Sequence, residues 1–239
     1  MSRGLSFGPA ADLYDQVRPS YPQQALVWAL GEAPRKVVDL GAGTGILTRV
    51  VRALGHEVLP VEPDEAMRDR LVQGTPDTTP LAGTAEKIPL PAGAVDAVVA
   101  GQAYHWFDPE PAHREIARVL AHGGVFAPVW NVRDDSVPWV AELTRIADDV
   151  ADRRGGVFNG EIEHDFGPEF GRPEREHFRH EVPMTADGLV KLVASRSYYL
   201  TATPEQQVAI EAAVRALAAT LPATFALPYV TVAYRARRR

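Results

Sequence analysis

The chain has 239 residues, of which 46% are apolar and 23% charged, enough apolar material for a full core and too much for a disordered chain. It contains no cysteine, which excludes disulfides, thiolate metal sites and a cysteine nucleophile, and its net charge of -6 gives no electrostatic reason to expect a nucleic-acid backbone as ligand. No apolar run reaches the roughly 18 residues of a membrane span, and the opening stretch lacks a secretory apolar core. The expected setting is cytoplasmic, with neither membrane nor nucleic acid as partner.

In chain order, residues 10–30 read as a short amphipathic helix, the turn Arg18-Pro19-Ser20-Tyr21-Pro22 and a second helix. From Lys36 short β-rich runs alternate with helical stretches: strands at 37–40, 56–61, 79–82, 94–100 and 125–130, and helices at 45–54, 64–73 and 111–120. Runs such as VDAVVA, apolar on both faces, suit buried parallel strands, and the alternation predicts a doubly wound α/β sheet. Beyond Asn131 helices are expected at 138–154, 186–197 and 204–221, and strands at 177–182 and 229–235. The late strands complete the sheet while the helices form a cap. Residues 155–172, with scattered Gly, Pro and acids, read as a loop.

The strongest chemical signal is Val37-Val38-Asp39-Leu40-Gly41-Ala42-Gly43-Thr44-Gly45, a strand running into a glycine turn that opens a helix. Glycines 41, 43 and 45 allow the backbone to approach a ligand where a Cβ would intrude. A dinucleotide fingerprint would place its third glycine at 46, where Ile46 stands, and a P-loop would require a following Gly-Lys-Ser/Thr. The ligand is therefore a nucleoside without a pyrophosphate. Glu62 ends the next strand, 23 residues after Asp39, where an acid accepts from ribose hydroxyls. His164 with Glu161, Glu163 and Asp165 lacks a second histidine at ligand spacing, and no metal is expected.

The stretches VVDLGAGTG, VLPVEPDEAM and GTAEKIPLPAGAVDAVVAGQAYHWFD resemble the class I S-adenosylmethionine-dependent methyltransferases, in particular the type 11 methyltransferase domain. YDQVRPSYP, AYHWFD and LPYVTVAYRA are similar to the small-molecule branch that includes trans-aconitate methyltransferase-like proteins. The resemblance implies a Rossmann-like sheet of seven strands in the order 3-2-1-4-5-7-6, the last antiparallel, within one domain. Residues 1–35 would form a helical lid, 36–131 the cofactor core, and 132–239 the rest of the sheet with a helical substrate cap. It also implies S-adenosylmethionine as cofactor. Asp39 and Gly41, Ala42, Gly43, Thr44 and Gly45 would meet its methionine part, Glu62 its ribose, Pro63 and Met67 its adenine, and Thr84, Ala85 and Glu86 the adenine edge. Many members carry Asp where this chain has Thr84, so Glu86 or the backbone at Ala85 would substitute. Gln102 and Ala103 would lie beside the sulfonium, and Tyr14 and Arg18 would close over the cofactor, Arg18 toward its carboxylate.

His105, just beyond a strand's carboxyl end, is the candidate general base for a hydroxyl or amine acceptor, titrating near its ordinary pKa of about 6.5. For a carboxylate acceptor an anion clamp from Arg18, Arg133 or Arg196 would matter more. Trp106 and Phe107 read as packing residues. The leading function is methyl transfer to a small-molecule oxygen, nitrogen or carboxylate. The alternatives are a catalytically silent binding module on the same fold and a nicotinamide-dependent oxidoreductase, which the glycine spacing disfavours.

Overall fold

The computed structural model describes residues 17–150, 160–162 and 165–239. Strand β1, Lys36–Leu40, lies inside the sheet and buries Val37, Val38 and Leu40. Successive side chains of a strand point to opposite faces, so burial of both Val37 and Val38 means that both faces are covered. Parallel neighbours flank it: β2, Glu57–Val61, on one side and β3, Val95–Gly101, on the other. Strand β4, Leu120–Arg133, adds parallel to β3. β6, Phe225–Arg237, pairs antiparallel with β4, and β5, Glu174–Met184, pairs antiparallel with β6. The order is β2-β1-β3-β4-β6-β5.

The sheet thus has six strands where seven were expected. The run at 79–82 contributes one residue, Leu81, in a parallel bridge to Val61. Its N–H bonds Pro60 O at 2.8 Å and its carbonyl takes the Glu62 N–H at 3.0 Å, and the pairing stops at that one residue. With Leu81 counted as the reduced third strand, the order is the expected 3-2-1-4-5-7-6.

The helices follow local signals. α1, Gln23–Leu30, starts after Pro22 and ends at Gly31. α2, Ile46–Ala53, opens from the glycine turn. α3, Glu65–Gly74, is capped by Asp64, whose carboxylate accepts the Met67 N–H at 3.0 Å. α4 is Pro109–Val119 and α5 is Pro138–Val150. The single helix expected at 186–197 is two, α6 at Ala186–Ala194 and α7 at Ser197–Leu200. Between them the Ser195 hydroxyl bonds back to Leu192 O at 2.7 Å, a local competitor of the helical ladder. α8, Pro204–Ala218, begins with a reciprocal Thr203–Gln206 capping box.

One apolar layer groups Val38, Leu40, Ile116, Phe126 and Trp130, and the opposite layer groups Leu26, Leu30, Val37, Val51 and Val129. A third joins Leu143 of α5, Leu189 and Leu192 of α6 and Val214 of α8 to Leu227 and Tyr229 of β6. The cap is therefore packed over the β5–β6 end of the sheet. Of the expected loop 155–172, Phe166 and Phe170 are buried in the first layer and anchor it; 155–159, Glu163 and His164 lie outside the described residues. No helix among the described residues is long and apolar enough to cross a membrane.

Candidate functional site at the glycine turn

β1 and β2 end side by side, and the chain leaving β1 turns back over that edge. The N–H groups of Gly41 and Ala42 both donate to Val61 O, at 2.8 and 3.2 Å. Gly41 and Gly43 have φ of 70° and 55°, in the left-handed region that disfavours a side chain. Their reasons differ. A Cβ on Gly41 would stand 2.8 Å from Ala103 Cβ, so this glycine allows β1 and β3 to end in contact. A Cβ on Gly43 would meet no atom within 4 Å, which leaves that side of the turn open for a ligand.

Glu62 is 6% exposed and held by two backbone donors, Gly43 N–H to Oε2 and Asp64 N–H to Oε1, both at 2.9 Å. Each carboxylate oxygen retains acceptor capacity, so a clamped Glu62 can still take two hydroxyls. Burial raises its pKa, opposed by the two N–H bonds. Asp39 is fully buried. Its Oδ2 accepts the Thr48 hydroxyl at 2.6 Å, and its Oδ1 has no hydrogen-bond partner. Burial pushes its pKa up to about 7, with Thr48 opposing and the Glu62 charge adding to the rise. An orphaned buried acceptor, a clamped acid and an open glycine fit a nucleoside that brings ribose hydroxyls and a cationic amine.

The other expected residues distribute as follows. Met67 is on the buried face of α3, while Pro63 is exposed and its carbonyl takes Arg68 at 2.8 Å. Thr84 is exposed in a bridge to Lys87, and Ala85 is buried. Glu86 accepts the Asp108 N–H at 3.0 Å, which turns its carboxylate toward the start of α4. Gln102 and Ala103 follow β3, with Ala103 beneath Gly41. Thr44 is buried and Gly45 opens α2. Arg133 closes β4, and Arg196 lies half-buried between α6 and α7. Tyr14 lies outside the described residues.

Arg18 is bonded to the cap. Its guanidinium donates to Ser195 Oγ at 3.1 Å and Ser195 O at 2.9 Å, tying the entry segment to the cap. Trp106, expected to pack, is 44% exposed, and Tyr104 takes the core place instead. The Tyr104 hydroxyl meets His113 Nε2 at 2.8 Å among Phe107, Phe126, Trp130 and Phe166.

His105 sits in the single turn Tyr104–Trp106, past the carboxyl end of β3. Trp130 Nε1–H donates to its Nδ1 at 3.3 Å. Indole is a donor only, so Nδ1 is the accepting nitrogen and the neutral ring carries its proton on Nε2. The residue is exposed, while desolvation by the groups crowded around its ring pushes its pKa down to about 4. The ring is therefore uncharged at neutral pH, where the sequence suggested a titration near 6.5. Sequence reading also missed Asp64, which orients Glu62 and whose N-cap position before Glu65 was a usable signal, and Trp130, which sets the His105 tautomer and had none.

A family model described as a methyltransferase domain matches residues 38–127. The chain is similar to an uncharacterized methyltransferase of Mycobacterium tuberculosis, 43% identical over 97% of this chain and 95% of that protein. A methyltransferase-like protein of Schizosaccharomyces pombe is 31% identical over 87% of this chain and 84% of its own. A candidate type II methyltransferase from Anaeromyxobacter dehalogenans shares the fold, with a TM-score of 0.69 and 24% identity over 92% of this chain and 97% of that one. With relatives matched over nearly their whole length, the chain belongs to the class I S-adenosylmethionine-dependent methyltransferase family.

Proposed function

We propose that the chain binds S-adenosylmethionine over the turn from Gly41 to Gly45 and transfers its methyl group to a small-molecule oxygen, nitrogen or carboxylate acceptor. The observation that carries this reading is Glu62, clamped by the N–H groups of Gly43 and Asp64 beside the open side of Gly43. In this arrangement Glu62 accepts from the ribose hydroxyls and Asp39 Oδ1 faces the methionine end. Met67 and Pro63 border the adenine, with residues 84–86 at its edge. Gln102 and Ala103 stand beside the sulfur.

The bound cofactor supplies an electrophilic methyl group on a sulfonium, and in-line displacement there depends chiefly on alignment. The chain's part is to hold the sulfonium still and present the acceptor opposite it. We place His105 against the acceptor, with Nε2–H donating to one lone pair of an oxygen acceptor so that another is turned toward the methyl group. Tyr14 and Arg18 belong to the closing segment, and Arg18 acts there through Ser195 rather than on the cofactor carboxylate.

Isothermal titration with S-adenosylmethionine and, separately, with NAD tests the cofactor. Binding of the first and not of the second supports the reading, and a preference for NAD overturns it. A labelled-methyl screen over hydroxyl, amine and carboxylate compounds then tests the transfer. Tight cofactor binding with no turnover in any of the three classes would favour the silent binding module.

A further inference from the structure

Asn131 is a buried polar residue in the last part of β4, 5% exposed. Its Nδ2 donates to the carbonyls of Ser20 at 3.1 Å and Pro19 at 3.4 Å, both in the entry segment. Its Oδ1 accepts the Thr231 hydroxyl at 2.6 Å. Its backbone carbonyl accepts Gln102 Nε2–H at 2.9 Å.

The orientation of this amide follows from proton accounting. Backbone carbonyls only accept, so the side that faces Pro19 and Ser20 must be Nδ2. Oδ1 then faces Thr231, whose hydroxyl spends its one proton there and offers its lone pairs to His180 Nδ1, 3.4 Å away. The chain of bonds runs from β5 through β6 and β4 to the entry segment, each link fixing the direction of the next.

Gln102 hangs from the same residue. It has φ of 54°, a conformation uncommon for a residue with a side chain, and its backbone N–H is held by Val129 O at 2.9 Å. Such backbone persists where the surroundings over-determine it, and here β4 supplies both restraints, through residues 129 and 131. The entry segment lies against the same ends: a Cβ on Gly101, the last residue of β3, would stand 2.7 Å from the Tyr21 hydroxyl.

We propose that Asn131 is a positioning residue that couples closure of the entry segment, residues 17–22, to the setting of Gln102 at the transfer site. The inference rests on the reading that Gln102 borders the reacting sulfur. The side chain of Asn131 holds the segment and its backbone holds Gln102, so a displacement at one is felt at the other.

The test uses Thr231→Val, which removes the donor that fixes the amide, and Thr231→Ser, which restores it. Loss of one buried hydrogen bond predicts that Thr231→Val speeds amide exchange at residues 20–26 of the cofactor-free protein, and weakens S-adenosylmethionine binding, each by about five-fold. Thr231→Ser should stay within about two-fold of wild type on both readouts, since the hydroxyl is retained. Combined with Gln102→Ala, Thr231→Val should add little further loss of affinity, because the two act along one chain. Should Thr231→Val not fold, Asn131→Asp keeps the acceptor for Thr231, turns an oxygen on the two carbonyls, and gives the same readouts. Wild-type exchange and affinity in the variant, failure of serine to restore them, or losses that multiply with Gln102→Ala would each overturn the proposal. A wild-type chain that takes up no S-adenosylmethionine overturns instead the methyltransferase reading, while exchange in the cofactor-free variants still decides whether Asn131 holds the segment.

Discussion

Gly43 donates its backbone N–H to Glu62 Oε2 at 2.9 Å, and this bond locks the turn after β1 to the end of β2. The acid and the cradle are therefore one unit. Glu62 is positioned by the same backbone that would meet the cofactor, and Asp64 secures its other oxygen.

The glycines of the turn should separate into a folding role and a binding role. Gly41→Ala forces a Cβ against Ala103 in a left-handed residue, and should cost about 2–4 kcal/mol from strain and overpacking. Gly43→Ala meets no atom and should cost only about 1–2 kcal/mol of backbone strain, while placing a methyl group in the ligand's space. Thermal denaturation should rank Gly41→Ala as the less stable, and titration of the folded Gly43→Ala should show cofactor affinity reduced about ten-fold or more. Normal affinity in Gly43→Ala would mean that the turn is not the cradle.

Asp39 gives the cofactor-free protein a pH dependence of definite sign. Its folded pKa of about 7 lies above the ordinary aspartate value of 3.8, so between these values the folded state holds a proton that the unfolded state has released. Its contribution is complete below about pH 4, declines as pH rises toward 7, and is absent above. Urea denaturation should therefore show Asp39→Asn gaining stability relative to wild type from pH 5 to pH 8, by an amount on the order of a few kcal/mol. A stability difference independent of pH would rule out a buried, proton-holding Asp39. Where the ligand brings a cationic amine to Oδ1, wild-type affinity should also strengthen as Asp39 ionises through this range.

His105 should not impose a step on the rate between pH 5.5 and 8, because its pKa is pushed down to about 4. With an acceptor in hand, His105→Ala should lower turnover by about ten- to a hundred-fold through loss of the Nε2–H bond, and His105→Gln, which can place an amide N–H nearby, should recover much of it. A wild-type rate that climbs ten-fold through pH 6.5, and loses that climb in His105→Ala, would restore the role of base.

What the sequence revealed and what it hid follow from the range of the interactions. The Gly41–Gly45 turn and the late β5 and β6 strands were readable because glycine freedom and strand alternation are local properties. Glu62 was readable through its spacing from Asp39. The bond of Arg18 to Ser195 was not legible because the two lie 177 residues apart, and a cationic side chain in a lid carries no mark of where it points. Asn131 was missed for the same reason: its amide joins Ser20 and Thr231, about a hundred residues away on either side, and a lone Asn after a strand reads as an ordinary end. The run at 79–82 pairs with β2 at Leu81 alone, and its residue pattern carries no mark of how few of its residues meet that neighbour.

Glu62 and the glycine turn act together as the proposed cofactor site, and the decisive measurement is titration of S-adenosylmethionine into wild type and Glu62→Ala. Loss of a charged hydrogen-bond acceptor costs about 1.5–3 kcal/mol, so the variant should bind at least about ten-fold more weakly, with a circular-dichroism spectrum like that of wild type. A folded Glu62→Ala that binds S-adenosylmethionine as tightly as wild type would contradict the account.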